Sequence, residues 1–107
     1  LNSRYYGDNL TYENNKHYDT LGWSLDYYGD NGVIQDNIVF NGTQAFYVDG
    51  GNDTLFRNNY IENITGFGLA YQFYQDLHIF NNTFVDVATS LQGWGGDNVS
   101  YYNNEID

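Results

Sequence analysis

Apolar and polar residues alternate along this chain in short runs, and the runs restart at a fixed interval. The recurring frame is an apolar residue, a spacer, an Asn-Asn or Asp-Asn pair, a second spacer and another apolar residue. It occupies 12–17, 34–39, 56–61, 79–84 and 101–106, with His17 in the last place of the first copy. The stretch 76–86 shows the frame with both flanks. The first member of the pair falls at Asn14, Asp36, Asn58, Asn81 and Asn103, in steps of 22, 22, 23 and 22. A period this regular marks a solenoid.

Each period holds three short runs of period-2 alternation, the pattern of a strand. One precedes the Asn pair and one follows it. The third covers 23–27, 45–49, 67–71 and 90–94. Turns rich in Gly, Asn and Asp separate the runs: Arg4-Tyr5-Tyr6-Gly7-Asp8-Asn9 returns 22 residues later as Asp26-Tyr27-Tyr28-Gly29-Asp30-Asn31, and these residue types tolerate positive φ. One extra residue between Tyr71 and Asp76 is expected to account for the single step of 23. Helical periodicity is absent, and β-branched and aromatic residues fill the runs.

Three strands in about 22 residues describe one rung of a coil, with rungs stacked in parallel about 4.8 Å apart. The fold class expected is therefore all-β: a parallel β-solenoid of about five rungs, one domain over 1–107. It divides into a partial rung 1–8, rungs starting near 9, 31, 53 and 76, and a partial rung 98–107. Asn14, Asp36, Asn58, Asn81 and Asn103 are expected to line an inner corner as a structural amide ladder, since stacked amides hydrogen-bond along the stack. Asp36 interrupts that column. On this reading Asn81 faces inward and is a poor glycan acceptor. A leucine-rich repeat has a similar period but needs several Leu at fixed offsets in each repeat, and the eight Leu here fill no column from rung to rung.

With this frame in view, the chain resembles the right-handed parallel β-helix repeat family, which includes pectate lyases, polygalacturonases, phage tailspikes and repetitive surface proteins of bacteria and methanogenic archaea. The likeness spans the whole chain. It rests on the five Asn-pair units and on Gly66-Phe67-Gly68-Leu69, which looks like the family's first strand. The resemblance implies right-handed winding and leaves activity open, because the fold hosts enzymes, adhesins and spacers. Enzymes of the family gather acidic and basic residues on one sheet. Here the only basic residues are Arg4, Lys16 and Arg57, none on a strand with an Asp cluster. No Asn-Thr-Asp, Asp-Asp, Gly-His-Gly or Arg-X-Lys motif occurs. The expectation is a protein that is not an enzyme.

A net charge of −11 from 14 Asp+Glu and three Lys+Arg argues against nucleic acid as a partner. No apolar run reaches transmembrane length, so no membrane insertion is expected. Zero Cys excludes a disulfide framework and thiolate chemistry. Six Asn-X-Ser/Thr sequons occur, at Asn9, Asn41, Asn52, Asn63, Asn81 and Asn98. Chance placement gives about two, so the excess points to an extracellular or cell-surface protein with covalent N-glycans. Asn9, Asn41, Asn52, Asn63 and Asn98 are the acceptors expected. The competing reading is that Asn-rich turns followed by Thr make sequons as a by-product.

Asp30, Asp49, Asp53, Asp76 and Asp97 would stack near one edge if the rungs are in register. A column of carboxylates repels itself unless a cation sits in it, which makes these the candidate ligands for Ca²⁺, the one cofactor considered. Solvated turns explain the same residues. Tyr5, Tyr6, Tyr28 and Trp94 are candidates for stacking on sugar rings, with packing ladders as the alternative. His17 is expected inward and His78 outward, too far apart to share a metal.

The terminal half-rungs are complementary to within four residues. That motivates the expectation that copies of the chain partner head-to-tail into a filament with an axial repeat of about 24 Å, the competing reading being a window of a longer β-helix. The function expected is a structural β-solenoid of a filament, sheath or surface layer. The alternative is a carbohydrate-binding or polysaccharide-degrading module.

Overall fold

The computed structural model describes residues 3–107, and among them every regular element is a strand. Three parallel stacks form the coil. The first joins β1 (Ser3–Tyr6), β4 (Leu25–Tyr28), β7 (Phe46–Asp49), the middle of β9 (Tyr60–Phe80) and the later part of β10 (Thr83–Asp97). The second joins β2 (Thr11–Glu13), β5 (Val33–Gln35), β8 (Asn52–Arg57), the end of β9 and β11 (Ser100–Tyr102). The third joins β3 (Lys16–Tyr18), β6 (Ile38–Gly42), the start of β9, the start of β10 and β12 (Glu105–Ile106). All these pairings are parallel, and β9 passes through all three stacks. The expected all-β parallel solenoid of about five turns is the fold observed.

The corners explain the composition. Among the described residues, every non-Gly residue with positive φ except Phe73 is Asn or Asp. They fall into three columns at the period: Asn9, Asn31, Asp53, Asp76 and Asn98; Asn14, Asp36, Asn58, Asn81 and Asn103; and Asp19, Asn41, Asn63 and Asp86. Their φ values lie between 51° and 63°, the left-handed region that Asn and Asp enter most cheaply among residues with a Cβ.

This geometry corrects the ladder. Asn14, Asp36, Asn58, Asn81 and Asn103 do not face inward; they turn the corner and are exposed. The ladder runs through the second member of each pair: Asn15, Asn37, Asn59, Asn82 and Asn104. Each Nδ2 donates to the next Oδ1, at 3.1, 2.9, 3.2 and 2.9 Å in order. The same Oδ1 accepts the backbone N–H of the preceding Asn. The second Nδ2 proton of Asn37, Asn59 and Asn82 goes to the carbonyls of Tyr12, Ile34 and Phe56. The three inner amides therefore have both donors and both acceptor directions filled. A left-handed residue breaks the period-2 alternation, so the inward face resumes one place later than a continued strand would put it. Asp36 consequently leaves the ladder intact.

The step of 23 arises in a different bend from the one expected. Gly42 pairs with Ile64, 22 apart, and Phe46 with Leu69, 23 apart, so the extra residue lies in 64–68 and not between Tyr71 and Asp76.

Inside the coil the side chains stack by column. Ile34, Phe56 and Ile79 form one buried column; Val39, Ile61 and Phe84 form another; Leu25, Phe46 and Leu69 form a third. Burial of such side chains is worth about 1.5–3 kcal/mol each. In the N-terminal rung the first two columns continue as Tyr12 and His17, whose Oη and Nε2 hydrogen-bond to each other. Burial of the imidazole holds its pKa below the ordinary 6.5.

This packing sets three expected outcomes. Asn59→Ala orphans Asn37 N–H, one Asn37 amide proton and the Ile34 carbonyl, so urea unfolding should show a loss of about 3 kcal/mol. Asn58→Gly keeps the left-handed corner and should stay within about 1 kcal/mol of the parent. His17 is neutral by preference when folded, so its contribution is full above 6.5 and is lost as pH falls through its folded value. Between about pH 7 and pH 5 the parent's urea midpoint should therefore drop relative to His17→Phe; parallel profiles would contradict this.

Candidate functional site: an aromatic strip on the first stack

Alternate residues of the first stack face outward, and register sets them in two columns. One holds Arg4, Asp26, Tyr47, Ala70 and Gln92; the other holds Tyr6, Tyr28, Asp49, Gln72 and Trp94. Rings join across these columns into a strip along the solenoid axis. Centroid separations are 4.7 Å for Tyr6–Tyr28, 6.2 Å for Tyr28–Tyr47 and 5.2 Å for Tyr47–Trp23, then 6.2 Å for Trp23–Phe67 and 5.6 Å for Phe67–Trp94. These are offset-stacked and edge-on contacts of the kind aromatic quadrupoles favour. Asp26 and Ala70 are buried although they belong to the outer face, as a ring layer lying across them requires.

Polar groups are set among the rings. Arg4 Nη2 lies 3.0 Å from Asp26 Oδ2, and Arg4 Nε donates to the same oxygen at 3.1 Å. The hydrogen bond to Asp26 raises the Arg4 pKa further above its usual value. Asp26 Oδ1 is buried with no hydrogen-bond partner among the described residues. Tyr47 Oη stands 2.8 Å from Gln72 Oε1 and 3.2 Å from Asp49 Oδ2; burial first, then the Asp49 charge, pushes its pKa up to about 12. Burial and Asp26 raise Tyr28 in the same sense. Trp23, Tyr47, Gln72 and Trp94 line an open cleft of about 540 Å³, within the range of small-ligand sites. The strip offers π faces and carboxylates. Both histidines lie elsewhere: His17 with Tyr12, and His78 on the second stack, 3.1 Å from Ser100 Oγ.

The structure brings Tyr6, Tyr28 and Trp94 of the sequence candidates into this strip, while Tyr5 stacks on Tyr27 at 6.0 Å in an inner column. Trp23, Asp26 and Gln72 were not singled out by sequence reasoning. The Arg4–Asp26 pair was within reach of it, because the two are one period of 22 apart.

The five aspartates proposed as a Ca²⁺ column do not form one. Asp30 and Asp97 share a column with Asp8, Asn52 and Gln75, Asp53 and Asp76 turn the neighbouring corner, and Asp49 sits on the aromatic face. Their turns were aligned by their glycines, which hid these offsets. Among the described residues no group of three or more His, Cys, Asp or Glu could hold a metal ion.

Of the sequon asparagines, Asn9, Asn41, Asn63 and Asn98 are exposed at left-handed corners. Asn81 is too, against the expectation that it faces inward. Asn52 differs: it opens β8, half-buried, with Oδ1 enclosed. Asn63 Nδ2 donates to Asn41 Oδ1 at 2.8 Å, and Asn98 Nδ2 donates to Asp76 Oδ1.

In comparison with protein families, a model described as a right-handed beta helix region matches residues 2–106. Comparisons with curated proteins and with solved structures each return no match.

Proposed function

The chain belongs to the right-handed β-helix family, and from that premise we propose that it is a structural element of an extracellular or cell-surface assembly, glycosylated at its bends and extended by head-to-tail stacking of rungs. One observation carries this reading. Every rung bonds to the next through the same set of contacts: parallel backbone pairs, an amide step with two hydrogen bonds onto one Oδ1, and side chains stacked in columns. Such a set is self-complementary along one axis. An identical rung of another copy needs no new surface to continue it, and a contact that repeats without closing makes a filament.

The exposed sequon corners support the glycan part. An N-linked sugar leaves one Nδ2 proton for the axial bonds that Asn63 and Asn98 make. In this reading the chain performs no catalysis, and its acidic surface keeps neighbouring solenoids apart laterally.

Electron microscopy of the purified chain at high concentration tests the assembly, with rods of about 24 Å axial repeat expected; discrete monomers would count against it. Glycopeptide mass spectrometry of native material tests the sugars separately. Occupancy is expected among Asn9, Asn41, Asn63, Asn81 and Asn98, and none at Asn52. Bare sequons throughout would remove the glycan part alone.

A further inference from the structure

The cleft of Trp23, Tyr47, Gln72 and Trp94 sets aromatic rings beside negative charge: Trp94 is 42% exposed, and Trp23 and Tyr47 are partly exposed. Asp49 stands at its edge against Tyr47 Oη. Asp26, the register partner of Tyr47, is 4% exposed. Arg4 pairs with that carboxylate through Oδ2, so Asp49 is the cleft's local source of negative charge. Aromatic rings are negative at their faces, and the chain carries −11 overall. Ring face, local carboxylate and net charge all attract the same kind of ligand.

We propose that this cleft binds a free organic cation with a quaternary ammonium head. The cation–π attraction is strongest over Trp and Tyr, and both tryptophans of the chain line this cleft. A primary ammonium would arrive with three N–H donors and a tight hydration shell to satisfy. The side chains that line the cleft offer only Gln72 Oε1 and Tyr47 Oη as acceptors for them. A quaternary head has no donors and sheds water readily, so ring faces and distributed negative charge suffice for it. An anionic or zwitterionic ligand gains the ring contact but loses the Coulomb part.

Intrinsic fluorescence reads the site directly, because no tryptophan lies elsewhere. Titrate the folded chain with choline chloride, with sodium chloride as the ionic-strength control. The probes compared are 3,3-dimethylbutan-1-ol, glycerophosphocholine and cellohexaose. A saturable signal with choline is expected. The neutral alcohol, of the same shape, should bind at least about tenfold more weakly. Glycerophosphocholine should also be weaker. Asp49→Asn should weaken choline at least about threefold while leaving the alcohol unchanged, and Trp94→Phe, at a partly exposed position, should weaken choline with unchanged far-ultraviolet circular dichroism. No saturable response to choline overturns the inference. So does equal binding of the neutral alcohol or of glycerophosphocholine, or preferential binding of the neutral saccharide.

Discussion

A left-handed residue at each corner lets three extended segments close into a rung, and it must recur at nearly the same place in every rung for the stack to hold. Asn and Asp meet that constraint with a side chain that also bonds along the axis, as Asn63 to Asn41 and Asn98 to Asp76 show. Immediately inside one corner, the second Asn of each inner pair fills all its hydrogen-bonding directions. An amide half-used in that dry position would cost more than it contributes. The ladder is therefore an all-or-none feature, and it fixes register: a rung displaced by one residue would bury its αL Asn and expose the next.

The periodicity carried most of the fold. Five copies of one frame at steps of 22 and 23 predict stacked parallel strands, and the apolar columns 12–101 and 17–106 lie where the spacing put them. What the sequence did not display is how the backbone turns at the pair. Two adjacent Asn look alike on the page, yet one has φ near 55° and lies in water while its neighbour is sealed in the core. Extrapolating alternation through that point placed the ladder one residue early. It also misjudged Asn81, a corner residue that had been assigned to the inner column. The bend at 64–68 is a similar case, since an inserted residue there resembles strand in composition and reveals itself only through pairing.

The candidate site was legible in part for a related reason. Tyr6, Tyr28 and Trp94 recur at the period and so stand out as a column. Trp23 and Phe67 lie two periods apart, but the residue between them at that offset is Ala45, so no continuous aromatic column marks them. The acidic turns carried the opposite error. Glycine-rich loops looked equivalent, but the aspartates in them occupy different positions of the loop, and a displacement of one residue sends a carboxylate to another face.

Glycine at these turns serves space more than conformational freedom. A Cβ on Gly29 would lie 2.0 Å from the Gly7 carbonyl oxygen, and one on Gly51 would lie 1.9 Å from that of Gly29. Rungs approach there more closely than any side chain permits. In the next rung the column holds Tyr74, whose hydroxyl bonds to Thr54 and reaches back to the Gly29 carbonyl at 2.7 Å. Burial raises the Tyr74 pKa, so it stays protonated and donates. Tyr27 does the same work lower in the stack: its hydroxyl donates to the Asp30 carbonyl, and its ring occupies the space a Gly32 Cβ would need. The missing glycine side chains and the large tyrosines are thus one packing solution. Close backbone approach at the corner leaves a hollow just inside it, a phenol fills that hollow, and its hydroxyl reaches a turn carbonyl: that of Gly29 for Tyr74, and for Tyr27 that of Asp30, which also accepts Asn9 N–H. A chain of this length without Cys, and with no metal-binding group or helix among its described residues, can hold a continuous core because each rung packs on the one beside it.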